Sequence, residues 1–562
     1  MMSIFRSLFA IFALLALPAV AQGPAKPVAV GDSAAKVGGS LTMRMDAYPQ
    51  SFNYYTGGDI YGGLLAQLML PALAFTDYET FEVIPYVAKN WVLAGDKLTL
   101  TVTLDERAKW ADGKPLTADD VVFTWDTIFN PKNDTASSKA FLDGIEKWEK
   151  VDPTTVTFKF KRIHYNNVDR VLGVYLLQKS AFEGKNFNKD FNDKIFSGGP
   201  YGLDDKNTKK NRKIVIKRNA DWWGWQLGWT KGLYNFDTIN FSIILDDRVA
   251  FESFKKGDLG WLEFRQPAFE SWVKETNGPQ FEGKPFVKLV FPKANPSESR
   301  GIALNMRRPP LNELAFREAL QLLCNRPLFV EKIFYGMSEP LRGPFGLYSP
   351  YSSPKLEATP FDPAKAAELL KSIGYTKADS DGILFKEVSG QKQRAELTVF
   401  YASNAHEKWL TVYKEDARKA GVQINIKYME WGPVTKLLDE FKFDGMFIGW
   451  AGSPDPAPEQ LWLGKFASQN SSSNYPGFNL PEADKLIEEA GTQFDTSKRY
   501  PLYHKLEELI VGQHPYVWAW GQKNHYMVYN KDKVAVPAKI YKFTGESMRD
   551  SPIIYWWDAR VK

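Results

Sequence analysis

A chain of 562 residues with 44% apolar and 14% aromatic content can bury large cores, and its length calls for two or three domains rather than one. Its 71 basic and 66 acidic side chains leave a net charge of +5 with the signs interspersed, which excludes a disordered chain and offers no basic stripe for nucleic acid. The single cysteine, Cys324, excludes an intramolecular disulfide; it sits in an apolar helical run that starts at Leu314 and reads as a small buried hydrophobe.

Residues 1–21 contain Arg6, the apolar run LFAIFALLAL and the small-residue ending Ala19-Val20-Ala21, the three parts of a secretory signal peptide. The apolar run is about half of the ~20 residues needed to span a bilayer, which excludes a membrane anchor. No cysteine follows it, which excludes a lipoprotein anchor. The mature chain is expected to begin near Gln22, to pass through a flexible Pro/Ala/Gly-rich leader at 22–38, and to work in the periplasm.

Residues 41–63 begin as a short strand and continue as a loop of Tyr, Asn, Gly and Phe without a helical period. Rings in a loop suit a ligand-contacting role, and packing of the domain is the equal alternative. Further on, Leu98, Leu100, Val102 and Leu104 alternate with threonines as a strand does. Asp112-Gly113 marks a turn, and Thr117, with Asp120 three residues later, opens a helix whose apolar face is Val121, Val122, Trp125, Ile128 and Phe129. Asp379-x-Asp381-Gly382 starts like a calcium loop but lacks the later carboxylate, and so reads as a hairpin turn.

Residues 422–456 predict a strand, a helix, a second strand and a Gly/Pro-broken loop. Val422, Ile424, Ile426 and Tyr428 alternate; Val434, Leu437, Leu438 and Phe441 recur at helical spacing; 446–448 is a buried strand. Ligands of α/β sheets bind beyond the carboxyl ends of strands, and both of these ends carry a tryptophan, Trp431 and Trp450. Core packing of both indoles is the competing reading. At the end of the chain, 516–520 and Tyr555-Trp556-Trp557, with eighteen tryptophans overall, keep a sugar-stacking surface in play.

Signals of catalysis are missing. His406-Glu407 does not continue into H-E-x-x-H, the five histidines lack ligand spacing, and neither a G-x-S-x-G elbow nor a phosphate loop occurs. Sixty-six carboxylates always contain some pair that could serve a glycosidase, but a sequence does not place them in space. No metal and no cofactor is expected. A secreted hydrolase is the alternative from another class.

Several blocks, in order, resemble the family 5 extracellular solute-binding proteins, the oligopeptide, dipeptide and nickel receptors of ABC importers. They are Ala88-Lys89-Asn90-Trp91, a strand, and RAKWADGKPLTADDVVFTW at 107–125; Ser197-Gly198-Gly199-Pro200-Tyr201 with Arg218-Asn219 and Trp222-Trp223-Gly224; Asn305 with Pro309-Pro310-Leu311; Trp431, Phe443-Asp444-Gly445-Met446, Gly449-Trp450 and Asp455-Pro456; and DTSKRYPLY at 495–503. The Trp- and Tyr-rich ending is most similar to the long peptide and microcin-type receptors. The resemblance implies an α/β, two-lobed periplasmic binding protein with a hinge. Its first lobe would be discontinuous, 39–76 with 197–294 and 521–562, carrying an accessory domain at 77–196; the second lobe would be 295–520. It implies capture of an oligopeptide or peptide-like solute and delivery to ABC importer permease subunits, by a monomer, with an oligosaccharide as the alternative ligand. The implied ligand-binding residues are Asn53, Tyr54, Tyr55, Asn305, Trp431, Trp450, Ser453 and Asp455. Where oligopeptide members carry an aspartate for the peptide ammonium, this chain has Gly452-Ser453, and a cationic contact of some members is Phe447 here.

Overall fold

The computed structural model describes residues 24–25, 31–77, 80–265, 268–282, 285–293, 299–450, 452, 455–539 and 551–562. The expected signal peptide, residues 22–23 and 26–30 of the leader, and Ser453 lie outside the described residues.

Two four-stranded sheets on one joined core make most of the first half. Strands Ser40–Met45 and Thr238–Ile243 pair in parallel, and Lys213–Arg218 and Tyr201–Leu203 extend that sheet antiparallel. A second, antiparallel sheet has the order Ala88–Leu93, Thr99–Leu104, Thr155–Phe160, Ile145–Asp152. In Thr99–Leu104 the expected alternation holds: Leu100, Val102 and Leu104 are fully buried and the threonines between them are not. The helix Ala118–Phe129 starts where Asp120 accepts from the Thr117 backbone N–H at 3.0 Å, and it lays Trp125 on Phe158 with ring centroids 4.9 Å apart.

The second half is built on a five-stranded sheet in the order Gln423–Tyr428, Glu396–Tyr401, Gly445–Trp450, Ser299–Leu304, Tyr516–Trp518. The first three strands and Tyr516–Trp518 run in one direction, and Ser299–Leu304 between them runs against them. The strand, helix and strand expected in 422–450 are present as Gln423–Tyr428, Trp431–Asp439 and Gly445–Trp450. Cys324 is buried, and Asp379 to Gly382 form a hairpin turn in which Asp379 accepts from the N–H groups of Asp381 and Ile383, both at 3.0 Å. Among the described residues no helix is long and apolar enough to cross a membrane.

The chain passes from one sheet to another twice, after strand Phe286–Pro292 into Ser299–Leu304 and after Tyr516–Trp518 into Asn524–Asn530. Strand Asn524–Asn530 pairs with both Trp261–Phe264 and Phe286–Pro292. Phe251, Phe264 and Phe286, in the stretch that the resemblance places in the first lobe, share a core with Leu304, Trp409 and Trp520.

Two expectations are corrected here. The stretch to 63 expected as loop is partly helical: Tyr54–Gly57 is a helical turn, and 60–63 opens the helix Ile60–Met69, capped by the Asp59 carboxylate, which accepts from Tyr61 N at 3.0 Å and Gly62 N at 2.9 Å. The period is hidden because Gly62-Gly63 occupies the first turn, where glycine lowers helix propensity; at Gly62 a Cβ would stand 3.2 Å from the Ser51 carbonyl oxygen. Most of the aromatic tail is core: Tyr516, Trp518, Trp520, Tyr555 and Trp556 are buried and offer no stacking surface to a sugar, while Trp557 is half-buried.

Candidate ligand-binding site

The three parallel strands of the second half end at Tyr401, Tyr428 and Trp450, and the crevice beyond those ends faces the first half, as the sheet rule requires. Past Trp450 lies a cavity of about 510 Å³, within the size range of small-molecule sites. Phe75, Phe141, Asp169 and Arg170 line it from the first half; Phe345, Trp450, Asp455 and Leu461 line it from the second.

Buried contacts beside the cavity join the halves. The Tyr165 N–H donates to Gly491 O at 2.9 Å, and its hydroxyl lies 3.2 Å from Pro456 O and 2.9 Å from the Tyr503 hydroxyl. The Arg499 guanidinium lies over the Tyr165 ring, 3.6 Å from its centroid. His164 Nε2 is 2.7 Å from Glu459 Oε1, and Arg170 is 3.7 Å from the other oxygen of that carboxylate.

Two carboxylates face the cavity from opposite halves. Asp455 accepts from the Tyr351 hydroxyl and from Arg499 Nη2, the latter at 3.2 Å. Asp169 is exposed to the cavity; the loss of hydration imposed by the surrounding protein, and then the charge of Asp455, push its carboxyl up to about 6, against the pull of Arg499.

A second, polar cavity of about 410 Å³ lies at the neighbouring strand end, lined by Arg44, Asp46 and Arg265 on one side and Ser403 and His406 on the other. The His406 ring packs on Phe447 with centroids 4.3 Å apart, and burial, with Arg300 nearby, lowers its pKa to about 4, so it is neutral at pH 7. Burial pushes the carboxyl of Glu263 up, but Arg265 at 2.8 Å, His525 at 3.2 Å and the Lys293 charge together outweigh it and hold the group ionised, at about 2.

Of the expected residues, Trp450 and Asp455 meet at the first cavity. Trp450 is half-buried: its indole N–H donates to the Tyr516 hydroxyl at 3.1 Å, and Tyr475 stacks on it at 5.5 Å. Trp431 is 50% exposed at the start of the helix Trp431–Asp439, just past the sheet's edge strand, and lines neither cavity.

The 53–55 group lies in a helical turn and lines neither cavity. Asn53 caps the turn by accepting from Tyr55 N at 3.2 Å and donates to Phe187 O at 2.9 Å. The Tyr55 hydroxyl donates to Tyr175 O, and Tyr54 packs edge-on against Tyr55 and Tyr175. Asn305 is buried at the other end of Ser299–Leu304 from Ser299, which lines the cavity; at 3.4 Å per residue the two are roughly 20 Å apart. Its carboxamide donates to Phe441 O and Phe443 O, both at 2.9 Å, and so braces the sheet.

Sequence reasoning missed Asp169, Arg170, Phe141 and Phe345, and it passed over the polar and aromatic run His164-Tyr165-Asn166-Asn167, the one local signal beside them.

Two α/β halves with a cavity at the strand ends between them define a two-lobed binding protein of the periplasmic type. The chain belongs to the bacterial extracellular solute-binding proteins, family 5, whose middle-region profile matches residues 82–472. It is therefore a solute-binding protein of ABC transporters. It is 24% identical over 483 residues to a probable ABC transporter-binding protein of Deinococcus radiodurans, covering 79% of this chain and 80% of that one. To the peptidoglycan-binding protein YepA of Agrobacterium fabrum it is 24% identical over 545 residues, covering 89% and 85%. Among solved structures, the oligopeptide-binding protein AppA of Bacillus subtilis, in complex with a nonapeptide, matches with a TM-score of 0.77 at 21% identity over 94% of this chain and 100% of that one.

Proposed function

We propose that the protein captures an oligopeptide or peptide-like compound in the periplasm, encloses it between the lobes and hands it, chemically intact, to the membrane subunits of an ABC importer, working as a monomer. The observation that carries this reading is the first cavity, where an indole and two carboxylates converge from opposite halves with apolar walls around them. The residues we assign to the ligand are Trp450, Asp455, Asp169 and Arg170. Trp431 and Ser453 are further contacts that a longer ligand would reach. We place the moving second lobe at 295–520, with the two chain crossings as its hinge. The relatives' names favour this ligand class, one being bound to a nonapeptide and one named for peptidoglycan, whose fragments carry short peptides on amino sugars.

A thermal-shift titration with a pool of synthetic oligopeptides tests the reading. The melting temperature is expected to rise with ln[L] above Kd, and the peptides to be recovered unchanged. Steady turnover, or a response only to oligosaccharides, would contradict it.

The acid pair predicts a pH dependence. A ligand ammonium between Asp169 and Asp455 relieves their repulsion and requires Asp169 ionised. Because the Asp169 pKa is raised to about 6, binding a cation beside it must expel a proton below that pH. Affinity should therefore rise as pH increases from about 5 to 7 and then level off. Calorimetric titration with a responding peptide checks this; a flat profile in wild type, or an unchanged slope in Asp169→Asn, removes Asp169 from the site.

A further inference from the structure

Between strand Ser338–Pro340 and helix Pro363–Ser372 the chain runs through residues 341–362 without regular structure. An irregular stretch of this length in a compact body needs outside partners for its backbone. Pro344 and Phe345 of this loop line the first cavity, and its Tyr351 hydroxyl donates to Asp455, which lines it too.

Several side chains hold the loop, Arg326 at Thr359 O, His504 at Pro350 O and Arg499 at the Tyr351 hydroxyl among them, and Glu507 takes both of the backbone N–H groups nearest the cavity wall. Glu507, on helix Thr496–Gly512, is fully buried. Its Oε1 accepts from Phe345 N at 3.3 Å, and its Oε2 accepts from Ser353 N at 2.6 Å and Ser352 Oγ at 3.0 Å. The fit extends to Gly343, where a Cβ would stand 2.6 Å from Oε1. A buried carboxylate is a costly way to fill a core, since an apolar side chain of the same shape does so without desolvation. It is suited to a place where backbone N–H groups of an irregular segment need acceptors.

Building on the cavity as the ligand site, we propose that Glu507 is a positioning residue of that site: it holds Phe345 in the wall and, through the loop and Tyr351, holds the Asp455 carboxylate where the ligand meets it. Glu507 itself lines neither cavity.

The same geometry makes the hold sensitive to pH. Burial raises the Glu507 carboxyl to about 7, against the lowering effect of hydrogen bonds from Ser353, Phe345 and Ser352 and of the Arg342 charge. His504 and Glu508 share its helix, and Glu508 takes the Ser353 hydroxyl at 2.7 Å and lies 3.5 Å from Lys355. With the loop released, the carboxyl would return toward its ordinary ~4.3. A group whose pKa is higher in the docked state favours docking when protonated. The hold is therefore firmest below ~4.3 and weakens as pH rises through about 7. When protonated, the acid can donate to Ser352 Oγ while keeping both backbone N–H groups.

Hydrogen exchange of the Phe345 and Ser353 amides, corrected for intrinsic rate, tests the proposal on the full protein without ligand. In wild type their protection should fall roughly tenfold or more between about pH 5.5 and 8, while the five-stranded sheet stays unchanged. In Glu507→Gln, which cannot ionise and keeps one acceptor oxygen, protection should be lower at pH 5.5 and flat with pH. The affinity of that variant for the oligopeptide pool should also drop about tenfold at an unaltered fold, with Glu507→Ala lower still. A flat wild-type profile, or wild-type exchange in Glu507→Gln, would overturn the assignment. If the pool fails to bind wild type, the ligand class is wrong, and the exchange result still decides the role of Glu507.

Discussion

Replacing Tyr165 by alanine is expected to weaken ligand binding by roughly 30-fold or more, the effect of removing about 2 kcal/mol from the closed state, while each lobe stays folded. Tyr165 is the centre of the contact between halves: a backbone bond to Gly491, a hydroxyl against Pro456 O and Tyr503, and a ring under Arg499. Few of its partners are stranded by the loss, because the Tyr503 hydroxyl also reaches Pro456 O at 3.0 Å and Arg499 keeps its bonds to the Tyr351 hydroxyl. The cost therefore falls on closure, and a ligand that needs the closed state pays it in apparent affinity. Tyr165→Phe keeps the ring beneath the guanidinium and should sit between the two. Calorimetric titration with a responding oligopeptide, together with small-angle scattering of the unliganded protein, checks the prediction. Unchanged affinity with unchanged radius of gyration would show that these contacts do not govern closure.

Trp450→Ala is the second large effect. Half of this indole is fixed by Tyr475 and the Tyr516 hydroxyl, and the rest faces the cavity. A wall indole contributes on the order of 1 to 3 kcal/mol to binding, so affinity should fall by roughly 5- to 150-fold. Stability should fall by less than the ~3 to 5 kcal/mol of a fully buried tryptophan, since only part of its packing is lost and the Tyr516 hydroxyl is left short of one partner. The melting temperature and the affinity of the same variant separate the roles. A collapse of stability with normal binding by the folded fraction would make Trp450 a core residue.

The fold was legible where periodicity is local. The alternating Thr99–Leu104, the capped helix after Thr117 and the strand, helix and strand around Trp431 each announce themselves within a dozen residues. The 54–69 helices were not, because two glycines in the first turn look like loop and the stabilising cap, Asp59, has no periodic neighbour. For the site, the strand-end rule led to Trp450 and Asp455, since a parallel strand followed by a Gly/Pro break is a local signal. Asp169 and Phe345 come together with them only through contacts nearly 300 and about 100 residues apart in the chain, which no local pattern encodes. Asn305 and Asn53 line neither cavity, and for a related reason the sequence does not show it: a buried asparagine satisfying backbone groups and one facing a cavity look alike in one dimension.

The most direct test of a receptor that captures a solute between its lobes and leaves it intact is native mass spectrometry of the protein isolated from its own cells, followed by analysis of what unfolding releases. A discrete excess mass is expected, released as an unmodified peptide-like compound, and lost or sharply reduced in Trp450→Ala and Tyr165→Ala. A protein that carries nothing, and that converts added oligopeptides to products in solution, would contradict the account.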